Sequence, residues 1–329
     1  MGSPHIKRSE FVPRRIFRGS HVQTLASFFL PRRIDLPLPE ERYIEVEPGV
    51  CVLCQCHWQP NRQNALTVII VHGLEGSSES QYMLGLTAKG LAAGMNVVRM
   101  NQRNCGGTDG LSPTLYHSGR SQDVAAVAQN LVDQDRVSRF ALAGFSMGGN
   151  LVLKLAGEWS KDAPGQFVAV AAVCPSMDLA ASADALHLPA NRVYELYFVW
   201  KLRRRFLAKA RLFPAQFDPT RLRGIASLRD FDDKITAYYS GFAGAADYYA
   251  RAAAANVVDR IAVPTLVLHA ANDPFIRILP ATRQKIRANP HITFVETGDG
   301  GHCSFLAHPD GDDGRWAESK IVRFLQQFS

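Results

Sequence analysis

The sequence predicts an α/β protein: a mostly parallel sheet flanked by helices on both faces, with a helical cap inserted late in the chain. Three observations carry this prediction. Short, continuously apolar, β-branched runs recur at residues 66–71, 96–100, 139–143, 167–174, 264–269 and 292–295, as expected of strands buried on both faces. Helical patterns separate them, at 80–93, 118–133, 147–159, 279–288 and 314–328, and strand–helix alternation of this kind builds a parallel sheet. Between the runs ending near Cys174 and starting at Pro264 lie about ninety residues with helical patterns and no clear strand.

Taken in order, residues 42–46 and 50–58 read as a β-hairpin joined through Pro48-Gly49. The run 66–71 (LTVIIV) is the first buried parallel strand, and the alternation then continues to the strandless interval. There Leu196, Val199, Leu202 and Phe206 are spaced 3, 3 and 4, with Lys201, Arg203, Arg204, Arg205 and Lys209 between them. That pattern is an amphipathic helix with a basic face. Residues 245–255 form a second, alanine-rich helix, and the interval 178–258 reads as a cap or lid. The predicted organisation is a basic N-terminal arm (1–40) packed on the core, a core of 41–177 and 259–329, and the cap. Catalytic loops then belong at the carboxyl ends of the strands.

Composition agrees and removes other classes. Hydrophobic residues make up 47% of the 329 and charged residues 20%, ordinary values for a folded domain and not for a disordered chain. Six cysteines are too dilute for a disulfide scaffold. The longest apolar runs fall short of the ~20 residues that span a bilayer. The start, MGSPHIKRSE, has no apolar stretch of the kind a signal peptide needs, so a soluble cytoplasmic protein is expected. The net charge is +7 and uneven: residues 1–33 hold seven basic side chains against Glu10 alone, and 201–211 is a second basic cluster. No nucleic-acid motif accompanies these charges. They read as solvated surface, with weak membrane-surface contact through the basic faces as the remaining option.

The strongest chemical signal is Gly144-Phe145-Ser146-Met147-Gly148, set between the strand RFALA and the helix NLVLKLAGEW. A sharp strand–turn–helix needs small neighbours to lift the serine clear of the sheet, and Gly144, Gly148 and Gly149 supply them. The helix N-terminus then faces the point where negative charge develops. Val71-His72-Gly73-Leu74 ends the first buried strand, so the Leu74 and Met147 amides are the candidate oxyanion hole. His72 reads as a structural histidine at a strand end. Asp273, after the strand PTLVLHA, and His302, on the glycine-rich loop after ITFVETGD, complete a nucleophile–acid–base order. Asp299 and Asp178 are the rival acids. Phe145, Phe275 and Phe305 are candidate substrate contacts beside the cap aromatics.

Two further features receive structural readings. Cys51, Cys54 and Cys56 with His57 suggest zinc, but period 2 splits Cys51 from the other two, so buried thiols are expected. Arg103 in NQRNCGG is either a substrate contact or one half of an internal ion pair. No cofactor or metal is expected, and the oligomeric state is not readable.

The segments HGLEGSSES, NQRNCGG, LYHSGRSQD, GFSMGGN, ANDPF and GGHCSF, in this order, resemble the YheT-like branch of the α/β-hydrolases, which includes mammalian abhydrolase-domain esterases and phospholipases. HVQTLASFFLPR near the N-terminus is similar to that branch as well. The resemblance spans residues from about 11 to the C-terminus. It implies an α/β-hydrolase fold and a serine hydrolase of carboxylic esters, with Ser146, Asp273 and His302 matching the family triad. A small-molecule ester of short- to medium-chain acids is the expected substrate. The alternatives are a lipase, phospholipase or thioesterase on the same triad, or a non-catalytic binding protein.

Overall fold

The computed structural model describes residues 11–309 and 312–329. The polar N-terminal decapeptide, read above as lacking a leader, lies outside the described residues.

The elements follow in chain order. Helix α1 (Ser20–Phe29) precedes the hairpin β1 (Glu40–Glu47) and β2 (Val50–His57). Then come β3 (Thr67–Val71), α2 (Gln81–Ala92), β4 (Asn96–Met100), α3 (Ser121–Asp135), β5 (Phe140–Phe145), α4 (Met147–Trp159) and β6 (Phe167–Val173). The strandless interval holds α5 (Leu179–Leu186), α6 (Arg192–Leu212), α7 (Leu228–Phe231), α8 (Tyr238–Ser240) and α9 (Ala245–Ala252). The chain returns through β7 (Thr265–Ala270), α10 (Pro280–Ala288), β8 (Ile292–Thr297) and α11 (Trp316–Leu325). No helix among the described residues is long and apolar enough to cross a membrane.

The eight strands form one sheet in the order β1-β2-β4-β3-β5-β6-β7-β8. The hairpin joins it antiparallel, and all pairings from β4 to β8 are parallel. The β-branched strands β3 and β4 are buried along their whole length, as their lack of alternation requires. Two cores result. One face packs Ile69, Val71, Leu142 and Val170 against α3 and α4. The other packs Ile70, Ala143, Val173 and Leu268 together with α2 and α11 side chains such as Met83 and Ile321. The register pairs Val71 with Gly144 and Phe145 with Val173, so these strands end level and the loops after them share one edge.

Residues 11–34 lie along that edge. Gln23, fully buried, donates from Nε2 to the Leu306 carbonyl and accepts the Leu306 amide. Phe11 packs between Phe305 and Trp316, with ring centroids at 5.6 and 5.4 Å. The cysteine strand behaves as its period demands: Cys54 and Cys56 enter the core, and burial pushes the Cys56 thiol up to about 12.

The sharpest constraint is at the turn from β5 into α4. A Cβ at Gly148 would lie 2.2 Å from the Val71 carbonyl oxygen, and one at Gly144 would lie 2.3 Å from the Gly148 carbonyl oxygen. Both obstacles are backbone, so neither can step aside. Gly148→Ala should therefore destabilise the protein by about 1–3 kcal/mol, as overpacking does. Gly165→Ala, whose methyl would meet nothing within 4 Å, should stay within about 0.5 kcal/mol of wild type. Equal denaturation midpoints for the two variants would remove the close crossing as a constraint.

Candidate active site

Ser146 occupies the turn between β5 and α4 at φ 53° and ψ −117°. That conformation costs a non-glycine residue about 1–3 kcal/mol and persists only where the surrounding structure imposes it. The Ser146 amide is held by the Val173 carbonyl at 2.9 Å, and its carbonyl accepts from Asn150 at 3.1 Å. The side chain is lifted out of the sheet into two cavities that meet at it.

Asp273 and His302 arrive from the loops after β7 and β8. His302 Nδ1 donates to Asp273 Oδ2 at 2.8 Å. Asp273 Oδ1 accepts the Phe275 and Ile276 amides at 3.1 and 2.8 Å. Burial alone would raise this carboxyl, but His302, then His269 and the Ile276 amide, hold it below the usual carboxylate range. The ring is thereby fixed through Nδ1, with Nε2 turned toward Cys303. In this structure Nε2 lies 3.8 Å from Cys303 Sγ. Ser146 and His302 line the same outer cavity, and serine–histidine contacts are often long before they tighten in the reacting complex.

Burial opposes charge on His302, yet Cys303 and Asp273 outweigh it and raise the imidazole well above 6.5. The Cys303 thiol moves the other way. Burial would raise it, but Cys174 and His302 bring it down to about 6. Cys174, His302 and Cys303 have donor atoms within 4.8 Å of one another, as do Cys174, His269 and Asp273. Cys51, Cys54, Cys56 and His57 form no such group among the described residues.

The other candidates fall as follows. Leu74 and Met147 both border Ser146 in the inner cavity, and neither amide donates to a protein acceptor among the described residues. His72 is buried, bonded to the Gly73 carbonyl and the Gln102 amide, and lowered by burial to about 4, which keeps it neutral. Asp178 accepts from the Leu279 amide and the Thr282 hydroxyl at the start of α10. Asp299 accepts from Asn272 and the Gly19 and Gly300 amides. Neither rival acid bonds to His302. Arg103 is 1% exposed and spans Asp123 and Glu47, so it is an internal ion pair.

Phe275 lies with its ring 4.4 Å from His302 and lines both cavities; Phe145 lines the outer one. Phe305 is a correction. It is fully buried between Phe11 and Trp316 and lines neither cavity. At φ 42° its backbone turns the ring back into the core.

The inner cavity, about 110 Å3, runs beneath α5–α9 and is walled by Leu74, Leu186, Phe198, Leu202, Phe206 and Phe275. The outer cavity, about 670 Å3, opens between α1, α6 and the loop after β3, and contains His302 and Cys303.

Sequence reasoning missed two supports of this site. Glu75, at φ 56° in the loop after β3, is gripped by Arg205 of α6 at 2.7 and 3.1 Å and by the Tyr116 hydroxyl at 2.6 Å. Lys201 donates to the Glu75 carbonyl at 2.8 Å. These bonds lock the helical segment onto the Leu74 loop. On the other side, the His302 amide donates to Thr24 Oγ1 of α1 at 2.9 Å. Both are contacts between distant parts of the chain, and only the charge of 201–211 hinted at the first.

Comparison with known proteins agrees with this architecture. A family model described as alpha/beta hydrolase fold matches residues 67–309. The chain is 30% identical over 333 residues to YheT of Escherichia coli (strain K12), covering 97% of this chain and 94% of that protein. It is 28% identical over 265 residues to phospholipase ABHD3 of Mus musculus, covering 80% of this chain and 62% of that one. Among solved structures, Est1E from Butyrivibrio proteoclasticus with bound ferulic acid aligns at a TM-score of 0.58 and 17% identity, covering 87% of this chain and 98% of that one. The Pyrococcus furiosus esterase Pf2001 aligns at 0.56 and 17%, covering 90% and 98%. At such identities the two structures speak for the fold.

The thiol and carboxylate beside His302 set its titration. An NMR titration of the imidazole should place its midpoint above 6.5, and Cys303→Ala should move it to lower pH by removing one of the groups that favour the cation. A midpoint that Cys303→Ala leaves unchanged would leave Asp273 as the group responsible.

Proposed function

The chain belongs to the alpha/beta hydrolase fold family, and from that premise we propose that it is a serine carboxylesterase working through an acyl-enzyme on Ser146. The observation that carries this reading is the strained Ser146 at the meeting point of two cavities, with an Asp273-oriented His302 bordering the same outer cavity. Sequence relatives whose names carry esterase, phospholipase and, in Saccharomyces cerevisiae, monoacylglycerol lipase support carboxylic esters as the substrate class.

In this scheme His302, once neutral above its raised pKa, takes the Ser146 proton on Nε2 as Oγ attacks the ester carbon, so activity rises with pH through that pKa. The resulting oxyanion lies toward the unpartnered Leu74 and Met147 amides, each such donor being typically worth about 3–4 kcal/mol. His302 then delivers its proton to the alcohol oxygen, the C–O bond breaks, and the acyl group stays on Ser146. Water, deprotonated by the same nitrogen, attacks the acyl carbon; the acyl C–Oγ bond breaks, His302 returns the proton to Oγ, and the carboxylic acid leaves. Asp273 remains ionised throughout, holding the tautomer and the imidazolium. The apolar inner cavity under α5–α9 takes the acyl chain, with those helices as a lid. The wider outer cavity takes the alcohol.

A fluorophosphonate probe should label the wild-type protein at Ser146 and should not label Ser146→Ala; persistent labelling of that variant would place the nucleophile elsewhere. Asp273→Asn should lower kcat by about four orders of magnitude, as the wrong tautomer does in comparable triads.

Acyl-length preference tests the inner cavity separately. Phe198→Ala and Leu228→Ala enlarge it, and each additional buried methylene is worth ~0.8 kcal/mol, so preference for longer chains should rise about fourfold per carbon accommodated. A flat acyl-length profile in both variants, with labelling intact, would remove these helices from the substrate site.

A further inference from the structure

Helix α6 has two apolar faces. Val199, Leu202 and Phe206 point inward and are buried. Val193, Leu196, Trp200 and Leu207 point outward on one stripe, with Leu196 and Trp200 each 52% exposed. Helix α1 presents a matching stripe of Val22, Leu25, Phe28 and Phe29, with Phe29 72% exposed. The two stripes are continuous. The Phe28 and Tyr197 rings meet edge-on at 6.0 Å, and His21 stacks on Tyr194 and bonds its hydroxyl at 3.0 Å. An isolated exposed side chain needs no explanation, but a contiguous patch of this kind marks a contact surface. It also rims the outer cavity, whose wall includes Leu25, Phe28, Phe29, Val193 and Tyr197 and which reaches Ser146 and His302.

The charge around the patch identifies what it contacts. Residues 11–34 contain five arginines and no acid. Arg32 is consumed by Glu318 and Asp313, whereas Arg14, Arg15, Arg18 and Arg33 are exposed. The one acid in α6, Glu195, is buried and bonded to Arg192 and His187. Arg204 and Arg211 extend the outward stripe of α6 into solvent. A second copy of this chain, docked about a two-fold axis, would set arginine against arginine. An anionic lipid surface satisfies both features: apolar side chains enter the headgroup boundary while arginines meet phosphates.

We propose that the α1–α6 face docks on an anionic phospholipid surface and turns the mouth of the outer cavity toward it, so that lipid-borne esters reach Ser146 without crossing bulk water. The second half rests on the esterase reading; the docking itself does not. An amphipathic helix pair lying in the interface with arginines at its border is the arrangement expected of peripheral, salt-sensitive attachment.

The test is co-sedimentation of the full chain, carrying Ser146→Ala to prevent turnover, with vesicles of phosphatidylcholine alone or mixed with phosphatidylglycerol. Binding is expected to the mixed vesicles, to fall at high salt, and to drop about tenfold in Leu196→Ser/Trp200→Ser, which loses two interfacial side chains. Arg33→Glu/Arg204→Glu should weaken it comparably. In an otherwise wild-type background, Leu196→Ser/Trp200→Ser should hydrolyse a water-soluble short-chain ester at the wild-type rate and lose rate only on vesicle-borne ester. No binding to either vesicle, or equal binding to both, overturns the proposal. So does a wild-type dimer that Leu196→Ser/Trp200→Ser makes monomeric, which assigns the face to a second copy. Absence of soluble-ester hydrolysis in the wild type would instead strike the esterase reading and leave the vesicle result standing.

Discussion

The site depends on one steric constraint, the crossing of the β5–α4 turn over the end of β3 with no room for a side chain. Gly148 sits against the Val71 carbonyl and Gly144 against the Gly148 carbonyl, each closer than any Cβ tolerates. That contact brings the backbone of Ser146 into a positive φ and projects its side chain beyond the sheet edge. The same contact sets the start of α4 beside the loop after β3, which is why the Met147 and Leu74 amides border one cavity. Strain of this kind is stable only because the sheet on both sides is fully paired: Val71 registers with Gly144 and Phe145 with Val173.

Around this fixed point the remaining groups are positioned by long-range polar contacts. The Glu75–Arg205 pair ties α6 to the loop after β3, and the Tyr116 hydroxyl completes the shell of the carboxylate. A buried pair of this sort is weak evidence for stability, since desolvation cancels much of the attraction, but losing one partner strands the other. Its consequence is geometric: the helices over Ser146 cannot swing away without exposing Glu75. Residues 11–34 act similarly on the other side. Gln23 exchanges two hydrogen bonds with Leu306, and Thr24 accepts from His302, so the loop bearing the imidazole is held at both flanks.

Elements whose signal is local were legible in the chain. Buried parallel strands are apolar without alternation, and every such run is a strand in the structure within a residue or two at its ends. The strained turn that carries Ser146 was legible because its backbone demand falls within five consecutive residues. The meeting of Asp273 and His302 was legible for the related reason that each follows its own strand at the same sheet edge. Phe305 was misread because proximity in sequence to His302 says nothing about which way a ring points; a positive φ at 305 sends it into the core against Phe11.

What the sequence determined by itself is therefore the sheet, the turn chemistry and the residue types at the strand ends, because hydrophobic period, glycine and strand–helix order act over a few residues each. Which arginine pairs with Glu75, which residues flank His302, that Cys303 lies against its Nε2, and that α1 and α6 share one exposed apolar face were decided only by the tertiary structure. Each joins segments dozens to hundreds of residues apart, and no local pattern encodes the partner of a side chain whose neighbour is supplied by the fold.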